Sequence, residues 1–251
     1  MMASREGHVK CVKLLLDKGA SADLSDKDGK TALMIASREG CDECVKLLLD
    51  KGASAHLFDK YGYTALMMAS REGRVKCVKL LLDKGASAHL FDKYGYTALM
   101  MASREGRVKC VKLLLDKGAS ADLSDKDGKT ALMIASREGR DECVKLLLDK
   151  GASAHLFDKF GETALMIASR EGRDECVKLL LDKGASAHLF DKDGNTALHL
   201  AAMKGHGSCV ALLLSVQGID ANLVNHNGQT PLMLTTDDKI KTMLQKHTTL
   251  V

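Results

Sequence analysis

Apolar positions along the chain fall into two alternating blocks. Within residues 26–58, Leu33, Met34, Ile35 and Ala36 make a short block between Thr31 and Gly40, and Cys44, Val45, Leu47, Leu48 and Leu49 make a second before Gly52. Apolar residues at helical spacing, opened by a hydroxyl residue and closed by glycine, predict a helix over each block. Thr31 is the expected N-cap of the first, and Gly40 the left-handed residue that ends it. The second runs from about Asp42 to Lys51, polar only at Lys46 and Asp50, a pattern that requires neighbours on most sides. Asp26-Lys27-Asp28-Gly29 carries a turn signature, and Ala53 to Phe58 leads extended into the next turn.

This turn–helix–turn–helix unit recurs every 33 residues. Its turn glycine appears as Gly29, Gly62, Gly95, Gly128, Gly161 and Gly194. A unit of that size cannot bury a core alone, so the units are expected to stack into one array over residues 1–251. The boundaries are a partial repeat 1–25, full repeats 26–58, 59–91, 92–124, 125–157, 158–190 and 191–224, and a shortened capping repeat 225–251. Residues 1–58 match residues 100–157 except at His8/Arg107 and Cys41/Arg140, so three units were copied as a block. The few positions that differ between units are then where unit-specific recognition must lie.

The sequence resembles the ankyrin-repeat family, whose consensus reads D-x-x-G-x-T-P-L-H-x-A-A-x-x-G-H-x-x-x-V-x-x-L-L-x-x-G-A-x-x-N. Six glycine-threonine-leucine frames carry the resemblance over nearly the whole chain. It implies an all-α repeat solenoid of helix-turn-helix units joined by β-hairpin-like fingers, acting as a non-catalytic protein-interaction scaffold. Most units read Thr-Ala-Leu-Met where the family has Thr-Pro-Leu-His; Thr196-Ala197-Leu198-His199 and Thr230-Pro231-Leu232-Met233 come closer. The finger asparagine is replaced by His56, His89, His155 and His188, or by Asp23 and Asp122, and returns at Asn222.

Composition narrows the picture little. The longest apolar runs are too short to span a bilayer, so no membrane association is expected. The start lacks a secretory signal, which makes the cytosol, or the nucleus, the expected compartment. Seven of the eight cysteines fall at one apolar helical position, and Cys41 is the exception. They read as small buried hydrophobes, with no disulfide framework and no metal site. The first repeat begins in mid-helix and should expose apolar surface. The expectation is that the natural protein extends upstream of Met1 or that this end self-associates.

Chemistry concentrates between the repeats. All nine aromatic residues lie there: Phe58, Tyr61, Tyr63, Phe91, Tyr94, Tyr96, Phe157, Phe160 and Phe190. Rigid rings on projecting turns are favoured binding anchors; the phenylalanines either serve as such anchors or pack on the adjacent finger, and the tyrosines are expected to be exposed. Repeats 59–91 and 92–124 carry net charges of +3 and +2, against −1, 0, −1 and −1 for those starting at Asp26, Asp125, Asp158 and Asp191. In Arg74-Val75-Lys76 and Arg107-Val108-Lys109, the Val-Lys pairs stand where other units place Asp-Glu, as at Asp141-Glu142. Residues 58–109 are therefore the expected contact surface for an acidic protein segment. It is extended by Arg71 and Arg104 of the helix-one Arg-Glu ladder, so binding would use the fingertips and the concave helix-one face.

No nucleophile with a base, phosphate-cradling loop or metal cluster is apparent, so no enzyme and no cofactor is expected. The four finger histidines should lie about 10 Å apart, one per layer, and act as polar bridges between turns. Two alternatives remain. The net charge of +4 permits weak nucleic-acid binding, which the interspersed acids disfavour. The finger His and Asp positions resemble those that asparaginyl hydroxylases modify in other ankyrin arrays.

Overall fold

The computed structural model describes residues 1–248, and these form sixteen helices without a sheet. The chain divides into two compact units, Met1–Lys126 and Asp127–Val251. The first holds α1 (Met2–Arg5), α2 (Val9–Asp17), α3 (Ala32–Glu39), α4 (Asp42–Asp50), α5 (Ala65–Arg71), α6 (Val75–Asp83), α7 (Ala98–Arg104) and α8 (Val108–Asp116). Its odd-numbered helices pack side by side in chain order as one layer and its even-numbered helices as another, each odd helix also packing on the even helix that follows it.

The second unit repeats this plan. It holds α9 (Ala131–Glu138), α10 (Asp141–Asp149), α11 (Ala164–Arg170), α12 (Asp174–Asp182), α13 (Ala197–Lys204), α14 (Gly207–Leu214), α15 (Pro231–Leu234) and α16 (Asp238–Thr248). The longer α16 buries Ile240 and Leu244 against the stack, where it packs on α14 and α15.

Burial follows the apolar blocks. In α5, Leu66, Met67 and Ala69 are buried, and in α6 Cys77, Val78 and Leu81 close the core from the second layer. Burial pushes the Cys77, Cys110, Cys143 and Cys209 thiols up to about 11, which makes them packing groups, since the thiolate is the reactive form. Cys11 departs from the expected burial. It is exposed with Leu14 and Leu15, because α2 packs on α4 along one side only, whereas the equivalent Cys44 and Leu48 lie between layers.

Helix one is capped as its sequence predicts, with an added use of methionine. The Thr64 hydroxyl accepts from the Met67 N–H at 3.3 Å, while the Met67 thioether accepts from the Thr64 N–H at 3.4 Å. In α13 His199 takes the methionine's place and does more. Its Nδ1 accepts from the Thr196 N–H at 3.2 Å, which leaves the proton on Nε2 to donate to the Gln229 carbonyl of the next repeat at 3.2 Å. Methionine thus keeps the cap as a weaker acceptor and loses the link between repeats. Burial holds the His199 pKa below its usual value, consistent with a neutral ring.

The fingers are built from turns, and an isolated antiparallel bridge joins Ser25 to Thr31. One boundary differs by a residue from the expected one. Helix two ends at Asp50, with Lys51 as its C-cap and Gly52 at φ 84° beyond it.

Candidate interaction surface

The fingers are closed by their leading side chain, a carboxylate at Asp26, Asp59, Asp92, Asp158 and Asp191 and an amide at Asn225. Asp59 Oδ1 accepts from the N–H groups of Tyr61 and Tyr63 at 2.9 and 3.0 Å, and Asp92 does the same for Tyr94 and Tyr96 at 2.8 Å each. The local side-chain bonds replace a strand ladder, which is why the fingers need no sheet. Consecutive fingers are then tied by one backbone bond: Lys60 donates to the Asp28 carbonyl at 2.8 Å, and Lys93 to that of Tyr61 at 3.0 Å. Gly62 is required twice over. Its φ is 86°, and a Cβ there would lie 2.9 Å from both Asp92 Cα and the Lys93 nitrogen of the next finger.

This scaffold sets the fingertip side chains at the surface. Phe58 is 69% exposed and Tyr94 62%, and Tyr61, Phe91, Phe157, Phe160 and Phe190 are exposed as well. Phe58 and Phe91 border one depression of about 410 Å³, flanked by Lys60 and Lys93 and floored by the backbone at Gly62. Tyr63 and Tyr96 depart from the expected exposure and are half-buried. They stand at the base of the finger, where the ring turns toward helix one; for Tyr63 this burial pushes the phenol pKa up.

The fingertip charges show a pattern missed in the sequence. Lys60 Nζ lies 2.8 Å from Asp28 Oδ1, the hydrogen bond to that lysine holding Asp28 below the usual carboxylate range. Tyr61 and Tyr94 occupy the place of Asp28 in the next two fingers, so Lys93 and Lys126 meet no carboxylate there. The signal was the Asp28-to-Tyr61 exchange, legible once the facing lysine is known. Lys60 also lies over the Tyr61 ring at 5.1 Å, and Lys129 over Phe160 at 5.5 Å, contacts that hold ring and cation together.

The arginines separate by role. Arg71 and Arg104 close helix one and are exposed. Arg74 and Arg107 precede helix two and reach back to the previous repeat, donating from Nε to the carbonyls of Arg38 and Arg71 at 3.0 and 3.1 Å. Arg173 and His206 make the corresponding bonds to Arg137 and Arg170. Part of the basic character read as a contact surface therefore also ties repeats together. Cys41 holds the same position with its sulfur 4.0 Å from the Arg5 carbonyl, a far weaker link. Lys76 lies 3.3 Å from Asp42, and Lys109 is exposed.

The finger histidines are engaged through their backbone. The N–H groups of His56, His89, His155 and His188 donate to the serine hydroxyl two residues earlier, and the side chains are exposed. The bridge between turns is made by Asp23, whose Oδ1 accepts from the Ser54 N–H at 2.9 Å. Among the described residues no group of three or more His, Cys, Asp or Glu side chains is placed to hold a metal ion. No helix among them is long and apolar enough to cross a membrane.

A family model for ankyrin repeats matches residues 1–92, 52–127, 85–158, 117–191, 150–225 and 183–247 in overlapping windows. The chain belongs to the ankyrin-repeat family. The ankyrin-repeat solenoid is a fold that serves protein–protein interaction, and no enzymatic family is indicated. Among solved structures, the human ASB11 ankyrin repeat domain is similar at 31% sequence identity and a TM-score of 0.78, over 88% of this chain and 98% of that one. Among curated protein sequences no significant match was found.

Proposed function

We propose that this ankyrin-repeat protein is a non-catalytic scaffold that binds an acidic segment of a partner protein across the fingertips of residues 58–94. The observation that carries the reading is the side-by-side placement of exposed Phe58, Tyr61, Phe91 and Tyr94 with lysines whose facing acid has been replaced. Aromatic rings supply apolar area at small entropic cost, and uncompensated cations steer and orient an acidic chain.

The test compares the intact chain with a variant carrying Phe58→Ala, Tyr61→Ala, Phe91→Ala and Tyr94→Ala as baits in cells of the source organism. Partner recovery should fall at least tenfold while the thermal midpoint stays within about 2 °C, as expected for exposed side chains outside the core. Unchanged recovery by the folded variant would remove the fingertips from the interface.

A further inference from the structure

One repeat contains a carboxylate that its sisters lack. In the second unit, Arg170 Nη1 at the end of α11 donates to both Glu162 oxygens, at 2.6 and 2.9 Å, while its Nε faces Glu171 at 3.2 Å. Glu162 sits at the base of its finger and is 4% exposed. The cleft between finger base and helix one is thus occupied there by a carboxylate from the chain itself.

In repeat 59–91 of the first unit the residues at these two positions are Tyr63 and Arg71. The Arg71 guanidinium reaches its neighbour Glu72 only at 4.0 Å, and a cleft of about 210 Å³ opens where the acid would lie. Lys30, Arg38, Tyr61, Tyr63, Met68 and Arg71 surround it. Asp59 and Glu72 also line the cleft, but Asp59 Oδ1 is already taken by two backbone N–H groups of its own finger, and against these two acids stand the three cations Lys30, Arg38 and Arg71. We infer that this cleft receives a glutamate or aspartate side chain of the partner protein, held by Arg71 as Arg170 holds Glu162. The apolar edge at Met68 and the two phenol rings cover the methylene stem.

The two clefts differ in solvation. The Glu162 side chain is 6% exposed, and burial outweighs Arg170 in pushing its pKa above the usual range. Arg71 is 54% exposed against 29% for Arg170, so an incoming carboxylate there keeps more of its water while still meeting the guanidinium fork.

The inference rests on the fingertip reading, and its test uses a separate readout. The full chain, isotope-labelled so that the Arg71 side-chain N–H is observed by NMR, is titrated with the blocked peptide acetyl-Gly-Leu-Glu-Leu-Gly-amide and with its glutamine twin. The glutamate peptide should shift the Arg71 signal and bind at least tenfold more tightly than the twin. Arg71→Gln should erase that preference. Tyr63→Glu, which installs the carboxylate within the chain, should erase it as well. Equal affinity for the two peptides, no binding of either at millimolar concentration, or a preference that survives Arg71→Gln overturns the assignment. Such a failure alongside lost partner recovery by the fingertip variant removes the cleft alone; retained recovery by that variant removes the broader reading.

Discussion

Six serines in the helix-one layer, Ser4, Ser37, Ser70, Ser103, Ser136 and Ser169, bury hydroxyls that have no hydrogen-bond partner. A buried unsatisfied hydroxyl costs about 1–3 kcal/mol, whereas the shape it fills is close to that of alanine. The chain has already made this exchange at Ala202, the equivalent position in α13. Ser70→Ala should therefore stabilise the protein by about 1 kcal/mol, read from the urea midpoint at unchanged slope. A midpoint that falls would mean the hydroxyl is satisfied in solution. The serine column was visible in the sequence as the Ala-Ser-Arg recurrence, but its cost was not. Whether a helical serine finds a carbonyl or nothing depends on the side-chain direction that packing imposes.

Between helices, a second column of charges links successive repeats. Lysines just past helix two reach back to the last aspartate of the preceding helix two: Lys51 to Asp17, Lys84 to Asp50 and Lys117 to Asp83 in the first unit, each at 2.7 Å, and Lys183 to Asp149 in the second at 2.6 Å. The bonded lysine holds each of these aspartates below its ordinary pKa of 3.8. A carboxylate lowered on folding adds stability that is present above that ordinary value and is lost as pH falls through the lowered one. The pairs are solvent-exposed, so salt should weaken them. Lys84→Gln should accordingly lower the urea midpoint slightly at pH 7, with the difference shrinking as pH falls below 3.8 and in molar salt. A difference that neither acid nor salt reduces would place the lysine's contribution in packing. The Asp-Lys dipeptides recur plainly in the sequence; that each lysine pairs across to the previous repeat follows only from stacking, which brings residues 34 apart within one hydrogen bond.

At the scale of the molecule, cohesion is local to neighbouring repeats, as the one-dimensional logic of such arrays requires. In the first unit, α2 has a packed neighbour along one side, leaving Leu14 at 63% and Leu15 at 53% exposure. Its link to the next repeat through Cys41 is also weaker than the Arg74 and Arg107 links further along. Backbone amides of α2 should thus exchange with deuterium faster than those of α4, and those of α4 faster than those of α6. Equal protection across the three helices would show that the unit opens as a single block.

The 33-residue period, the Thr caps, the closing glycines and the two apolar blocks determined the fold from the sequence alone, because each is a local signal repeated until only stacking satisfies it. The aromatic fingertips were legible for the same reason: nine rings placed outside the helices could not belong to the helical core. Proximity between repeats was not legible. That Tyr63 turns inward, that Arg74 caps the helix of another repeat, and that Glu162 fills a cleft which Tyr63 leaves open are relations between residues distant in sequence or in different layers. Each depends on where a side chain can point once its neighbours are in place, and tertiary packing alone decides that.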